Sequence, residues 1–140
     1  EAELKILPLQ SQVLELKAMA SLVRGRLQGN NQNLTFIPAD TYRIQTFYRP
    51  DFMDSTTFGV DVNFNSEQNR PGFNELQTPA YTLMNLFLSK DFSFQKGTLS
   101  TSVSIQNLWN KNYVDHLSIL RAFEIPNPGR NIQLALRYAF

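Results

Sequence analysis

The chain has 140 residues, 42% hydrophobic and 18% charged, with a formal net charge of +1 and no cysteine. That length suffices for one domain with its own core. The near-neutral charge offers no footprint for nucleic acid, and the lack of cysteine excludes disulfide frameworks, thiolate metal sites and cysteine nucleophiles. No apolar run approaches the roughly 20 residues that a membrane-crossing helix needs. The opening EAELKILPLQ is acidic and already alternates, unlike a signal peptide.

In chain order, seven segments alternate with a period of two, the signature of strands with one apolar face. AELKIL (2–7) sets Leu4 and Ile6 against Glu3 and Lys5. VLELKAMASLV (13–23) sets Leu14, Leu16, Ala18, Ala20 and Leu22 against Glu15, Lys17 and Ser21. TYRIQTFYR (41–49) opposes Tyr42, Ile44, Thr46 and Tyr48 to Arg43, Gln45 and Arg49. TFGVDVNFN (57–65) opposes Phe58, Val60, Val62 and Phe64 to Gly59, Asp61, Asn63 and Asn65. YTLMNLFLSKDFSF (81–94) groups Met84, Leu86, Leu88, Phe92 and Phe94, but Lys90 falls among them. Either a bulge shifts the phase there or Lys90 snorkels at an interface. TLSTSVSIQNLW (98–109) places Leu99, Val103, Ile105 and Trp109 opposite Ser100, Ser102, Ser104 and Gln106. NIQLALRYAF (131–140) ends the chain on Ile132, Leu134, Leu136, Tyr138 and Phe140.

Connections alternate too: short at 8–12, 50–55 and 95–97, long at 25–40, 66–79 and 110–130. Short turns on one side and long loops on the other describe an antiparallel up-and-down transmembrane β-barrel segment of about seven strands. A small soluble ligand-binding β-barrel also alternates. However, the second face, with Glu15, Lys17, Arg43, Gln45, Asp61, Asn63, Gln106, Gln133 and Arg137, is too polar for such an interior. Aromatic residues near segment ends (Tyr42, Tyr48, Phe58, Phe64, Trp109, Tyr138, Phe140) suit the girdles of an outer-membrane barrel. Bacterial single-chain barrels have even strand numbers and no open edge in lipid, so seven strands are expected to be part of a larger barrel.

The stretch 107–140 carries a resemblance. Asn107, Leu108, Asn110, Lys111 and Tyr113 precede Asp115-His116-Leu117-Ser118, and Pro126, Pro128, Gly129, Arg130 and Asn131 lead into a last strand ending in Phe140. This block, with FIPADTYRIQTFYRP and LQTPAYTLMNLFLS upstream, resembles the C-terminal barrel portion of TonB-dependent outer-membrane receptors, particularly those of the Bacteroidetes type. The resemblance spans essentially the whole chain and is strongest after Leu76. It implies a barrel of about 22 strands, of which this is the last third, with a plug domain and the TonB-contacting motif lying outside this sequence. It also implies uptake of a scarce ligand such as a ferric siderophore, haem or another metal chelate, without catalysis or cofactor. Expected partners are outer-membrane lipid, the rest of the barrel, the plug, the TonB complex through that plug-side region, and the barrel-assembly machinery. Long loops would be extracellular; short turns and the C-terminus would be periplasmic. Ile132, Leu134, Leu136, Tyr138 and Phe140 would form the assembly signal.

His116, the single histidine, cannot build a histidine metal site by itself. In the last long loop it is a candidate ligand contact with Arg121 and Arg130, the competing role being loop packing for His116 and pairing with a carboxylate for Arg130. Asp115, His116 and Ser118 suggest a hydrolytic triad on paper, and an outer-membrane barrel enzyme is the remaining alternative. Yet neighbours in sequence rarely form a triad, and no nucleophile elbow is present. The segment 125–130 is expected to be a rigid turn. Asn33-Leu34-Thr35 matches a glycosylation sequon, and 28–33 is a turn-rich tip.

Overall fold

A computed structural model of the chain describes residues 2–6 (backbone path only), 13–29 and 32–140. Seven strands form one sheet in the order β1 to β7: Ala2–Ile6, Leu14–Ser21, Thr41–Tyr48, Thr56–Asn65, Tyr81–Phe94, Gly97–Gln106 and Asn131–Ala139. Each strand pairs antiparallel with the next in sequence. The expected up-and-down order is therefore present, and the three long connections lie together at one end of the sheet. Residue 7 of the first expected strand, the link 8–12, and residues 30 and 31 of the loop tip lie outside the described residues.

Register decides which side each residue takes, because a slip of one would exchange the faces. Tyr42 faces Phe64, Ile44 faces Val62 and Tyr48 faces Phe58. Val60 faces Leu86 and Val62 faces Met84, while Val103 faces Leu134 and Ile105 faces Ile132. Side chains alternate along each strand, so these residues share one apolar face. Lys17 opposite Gln45, Gln45 opposite Asp61, and Asp61 opposite Asn85 share the other.

Among the described residues no other element packs on the apolar face. Ile132, Leu134 and Leu136 expose 65 to 67% of their surface, and among the described strand residues only Tyr81 is a buried apolar side chain. The chain exposes 10038 Å², against roughly 7,400 Å² for a compact monomer of its mass. Two aromatic pairs mark the ends of that face, Tyr42 with Phe64 at 6.2 Å and Tyr48 with Phe58 at 6.4 Å between centroids. At ~3.4 Å per residue the pairs stand roughly 20 Å apart along β4, comparable to the ~25 Å apolar band of outer-membrane barrels.

The structure decides between the two readings of Lys90 and moves some strand ends. The pairing of β5 with β4 holds its register up to Lys90 and that with β6 runs unbroken through it, so there is no bulge. Lys90 stays on the apolar face, opposite the first residue of β4, with its ammonium 5.5 Å from the Phe92 ring centre. It lies at the short-turn rim, where an aliphatic stem reaches along the surface and its charge reaches water. β6 ends at Gln106 rather than at 109, because Asn107 takes a left-handed φ of 51°, a conformation asparagine tolerates. Trp109 is therefore a loop residue, lying beside Phe64 and Thr82 at the long-loop rim. β2 ends at Ser21, leaving Leu22 and Val23 beyond it, and β3 ends at Tyr48, one residue before Arg49.

Replacing Val62 or Val103 with lysine is expected to cost about 2–4 kcal/mol in a lipid-bilayer refolding equilibrium. The same change at Ser102 on the polar face is expected to cost well under 1 kcal/mol. Equal penalties on both faces would mean that the apolar face is covered by protein rather than lipid.

Candidate functional site: the polar wall and its loop cluster

The polar face is organised by one hydrogen-bonded chain across three strands. Arg43 holds Asp61 in a fork, Nε to Oδ1 at 2.6 Å and Nη2 to Oδ2 at 3.0 Å. Asn85 Nδ2 donates to the same carboxylate at 2.9 Å, and Asn85 Oδ1 accepts the Asn107 amide at 2.9 Å. The Asn107 side chain then brackets Lys111, accepting its amide and donating to its carbonyl, both at 2.8 Å. Sheet and last loop are thereby joined. Lower on the wall, Glu15 pairs with Arg49 at 3.2 Å and Lys17 at 3.4 Å, and both cations lie within 6 Å of the Phe47 ring centre.

Phe47 was not expected on this face, nor were Met19, Leu83 and Phe87, whose parity puts them there. Gly59 makes the aromatic pair possible: a Cβ there would sit 3.2 Å from both Phe47 and Phe87. A lone glycine in a well-formed strand is the available signal of such close approach. Around these groups lies a cavity of about 630 Å³, bordered by Arg43, Phe47, Asp61, Phe87, Tyr113 and Asn131. That is the size range of small-molecule sites.

Above the sheet the long loops form one cluster around Glu75. Its carboxylate accepts the Phe36 amide at 2.9 Å and the Gly72 amide at 2.8 Å, and pairs with Arg121 at 3.1 Å. All three loops therefore meet on one buried acid. Gly72 is required: a Cβ there would sit 2.6 Å from the Thr35 backbone. Phe36 is held at a φ of 57°, a conformation costly for a bulky side chain, by the hydrogen bond its backbone N–H donates to Glu75. Gln68, fully buried, donates to the carbonyls of Ile37 and Pro38 at 2.8 and 2.9 Å. Asp40 joins Arg24 at 2.7 Å and Arg70 at 3.4 Å; the hydrogen bond from Arg24 holds the Asp40 carboxyl below its ordinary range.

Of the candidate contacts, His116 and Arg121 come together and Arg130 does not join them. The His116 side chain is 3% exposed; its Nδ1 bonds Thr78 Oγ1 at 3.2 Å and its Nε2 stands 3.8 Å from Glu75. Arg121 donates to the His116 carbonyl as well as to Glu75. Arg130 is exposed, and its amide donates to Asn110 Oδ1 at 2.8 Å. The triad does not assemble, since His116 bonds Thr78 and Asp115 takes the Tyr81 hydroxyl at 2.6 Å. Ser118 instead precedes the short 3₁₀ turn Ile119–Phe123. Within 125–130, Asn127 ties the turn back, donating to the Tyr113 carbonyl and accepting the Asp115 amide, both at 2.9 Å. Among the described residues no group of three or more His, Cys, Asp or Glu is placed to hold a metal ion, and no helix is long and apolar enough to cross a membrane. What the arrangement supplies is paired polar groups and shaped loops, a chemistry of binding and packing.

No family model matches this chain, and no curated protein matches it in sequence. Among solved structures, Copper transporter OprC superposes on 93% of the chain with a TM-score of 0.79 and 16% identity. The sheet is a β-barrel segment. The chain spans about a fifth of that protein, 21% of its length, and at this identity the likeness concerns fold alone. It agrees with the antiparallel up-and-down fold of a β-barrel segment.

Burial, and then the Arg121 charge, hold His116 below its ordinary pKa, against the pull of Glu75 and Asp115. Burial pushes Glu75 up, but the two amides and Arg121 outweigh it and keep the acid below its ordinary value. Both shifts carry the same sign. An opened loop takes up a proton at His116 near pH 6.5, whereas the closed loop resists it; closure is complete above that pH and weakens below it. The Glu75 contribution is lost further down, as pH falls below about 4.5. Hydrogen-exchange protection of 107–130, corrected for intrinsic rates, is expected to fall between pH 7.5 and 5.5, and to lose that dependence in His116→Gln. A separate variant, Glu75→Ala, strands two amides and Arg121 and is expected to ease loop opening by about 3 kcal/mol.

Proposed function

We propose that the chain is the C-terminal barrel portion of a TonB-dependent outer-membrane transporter, and that the remaining strands and a plug domain come from a longer protein. The observation that carries this reading is the single-layer sheet with an uncovered apolar face and a polar, ion-paired inner face. A soluble ligand-binding barrel inverts that arrangement, burying apolar side chains inside. The loop block at 107–131 and the aromatic terminus support the Bacteroidetes-type assignment. The ligand class is a scarce metal chelate, such as a ferric siderophore or haem. The copper transporter's fold is consistent with metal-related cargo, and the 630 Å³ cavity is large enough for part of a chelate. Long loops face outward and short turns face the periplasm.

The full-length protein is expected in the outer-membrane fraction, extractable only with detergent, and cells lacking it are expected to grow poorly when a metal chelate is the sole metal source. Recovery as a detergent-free soluble monomer would refute the membrane reading. Normal growth on every chelate tried would refute the cargo alone.

On this reading the last strand is also an assembly signal, made by Ile132, Leu134, Leu136, Tyr138 and Phe140. Phe140 is fully exposed, touching Tyr138 at 6.3 Å between ring centres, so its loss removes little folded-state packing. Deleting Phe140 from the full-length protein is expected to cut outer-membrane insertion in cells severalfold, while stability after refolding in detergent stays nearly unchanged. Replacing Arg137, on the opposite face, is expected to leave insertion intact. Normal insertion without Phe140 would reduce the terminal pattern to ordinary strand amphipathicity.

A further inference from the structure

At the top of the polar face, Thr41, Asn65 and Tyr81 stand side by side across β3, β4 and β5. The long loops close over them with Pro38, Ser66, Thr78 and His116, leaving a chamber of about 130 Å³. Four of its residues are buried, Asn65 at 8%, Tyr81 at 9%, and Thr78 and His116 at 4% exposed, while Pro38, Ala39 and Leu117 add apolar surface. Two side-chain nitrogens of these residues have no hydrogen-bond partner, Asn65 Nδ2 and His116 Nε2. Exchanging the amide atoms of Asn65 does not remove the problem. Thr41 Oγ1 now bonds Oδ1 at 3.0 Å, and after the exchange the oxygen would be the atom left over.

Buried polar groups almost always find a partner, protein or water. Each orphan left dry costs about as much as a hydrogen bond to this fold. A chamber of this volume accommodates about four waters at ~30 Å³ each, and a water needs two to four polar neighbours. The lining offers donors and acceptors on several sides: the Asn65 amide, the Thr41 and Thr78 hydroxyls, and the Tyr81–Asp115 pair. Both Asp115 oxygens are already engaged, by Tyr81 and by the Leu117 amide. A neutral hydrogen-bonding occupant therefore suits the site better than a cation.

We infer that this chamber is a specific hydration site, in which a small ordered water cluster bonded to Asn65 fastens the three long loops onto the end of the sheet. The waters act as part of the loop packing, in parallel with the Glu75 cluster above. The inference stands on the chamber's own geometry and does not depend on what the whole protein transports.

Two variants of the full-length protein test it through a difference in sign. Asn65→Ala enlarges a wet chamber, and another water takes the place of the amide. Asn65→Leu expels water and leaves the other polar groups dry. Hydrogen-exchange protection of 115–117 is expected to stay within about threefold of the parent in the alanine variant and to fall about tenfold in the leucine variant. In a dry chamber the order reverses, since leucine fills the void that alanine leaves. Protection in Asn65→Leu equal to or above that in Asn65→Ala overturns the inference. A high-resolution crystal structure of the parent protein supplies the direct check. Ordered water within hydrogen-bond distance of the Asn65 amide supports it, and a side chain of another segment filling the chamber refutes it.

Discussion

An unbroken antiparallel register through six strand pairings is the constraint on which the rest of this structure depends. Side-chain direction alternates strictly in a strand, so one inserted residue would send every later side chain to the wrong face. The most exacting place is Lys90. A bulge there would have kept a charge off the apolar face, but it would also have turned Phe92 and Phe94 inward and broken the pairing of β5 with β6. The sheet keeps its register and leaves the lysine where the apolar band ends. One misplaced charge at a rim is a small cost beside a strand out of phase.

From that register follows a sheet with two incompatible surfaces and, among the described residues, no second layer. The apolar surface meets no protein among the described residues, while the polar surface is tied together by Arg43, Asp61, Asn85 and Asn107. This division is opposite to that of a soluble β-barrel and matches lipid outside, water and protein inside. The aromatic pairs at Tyr42–Phe64 and Tyr48–Phe58 bound the apolar band at both ends.

The loops obey a different rule. Above the sheet the described residues form no apolar core to organise three long connections, so buried polar groups do it instead. Glu75 draws an amide from the first loop, an amide from its own loop and a guanidinium from the last, and Gln68 and Asn107 perform similar tasks nearby. Such packing is directional, and it is sensitive to protonation because its acceptors are ionisable. It also holds strained backbone, most plainly at Phe36, whose ring remains 61% exposed.

By itself the sequence determined the strands, their faces and the grouping of long loops at one end, because a period of two reports directly on a medium that differs across the sheet. It left the phase at Lys90 open, carried β6 too far to Trp109, and passed over Phe47 and Phe87. Polarity says nothing about a left-handed turn at Asn107 or about two rings meeting above Gly59. The residue types in the last loop were legible as candidates, but their roles were not: His116 and Arg121 converge on Glu75, more than forty positions from either, and Arg130 stays apart. Glu75 looks like an ordinary polar residue in a loop, and Asn65, legible only as one more residue of the polar face, gives no sign in the sequence that loops close over it. Only the tertiary structure decided which polar groups lose their water together, because burial is a property of loops folding over one another and leaves no periodic trace in the order of residues.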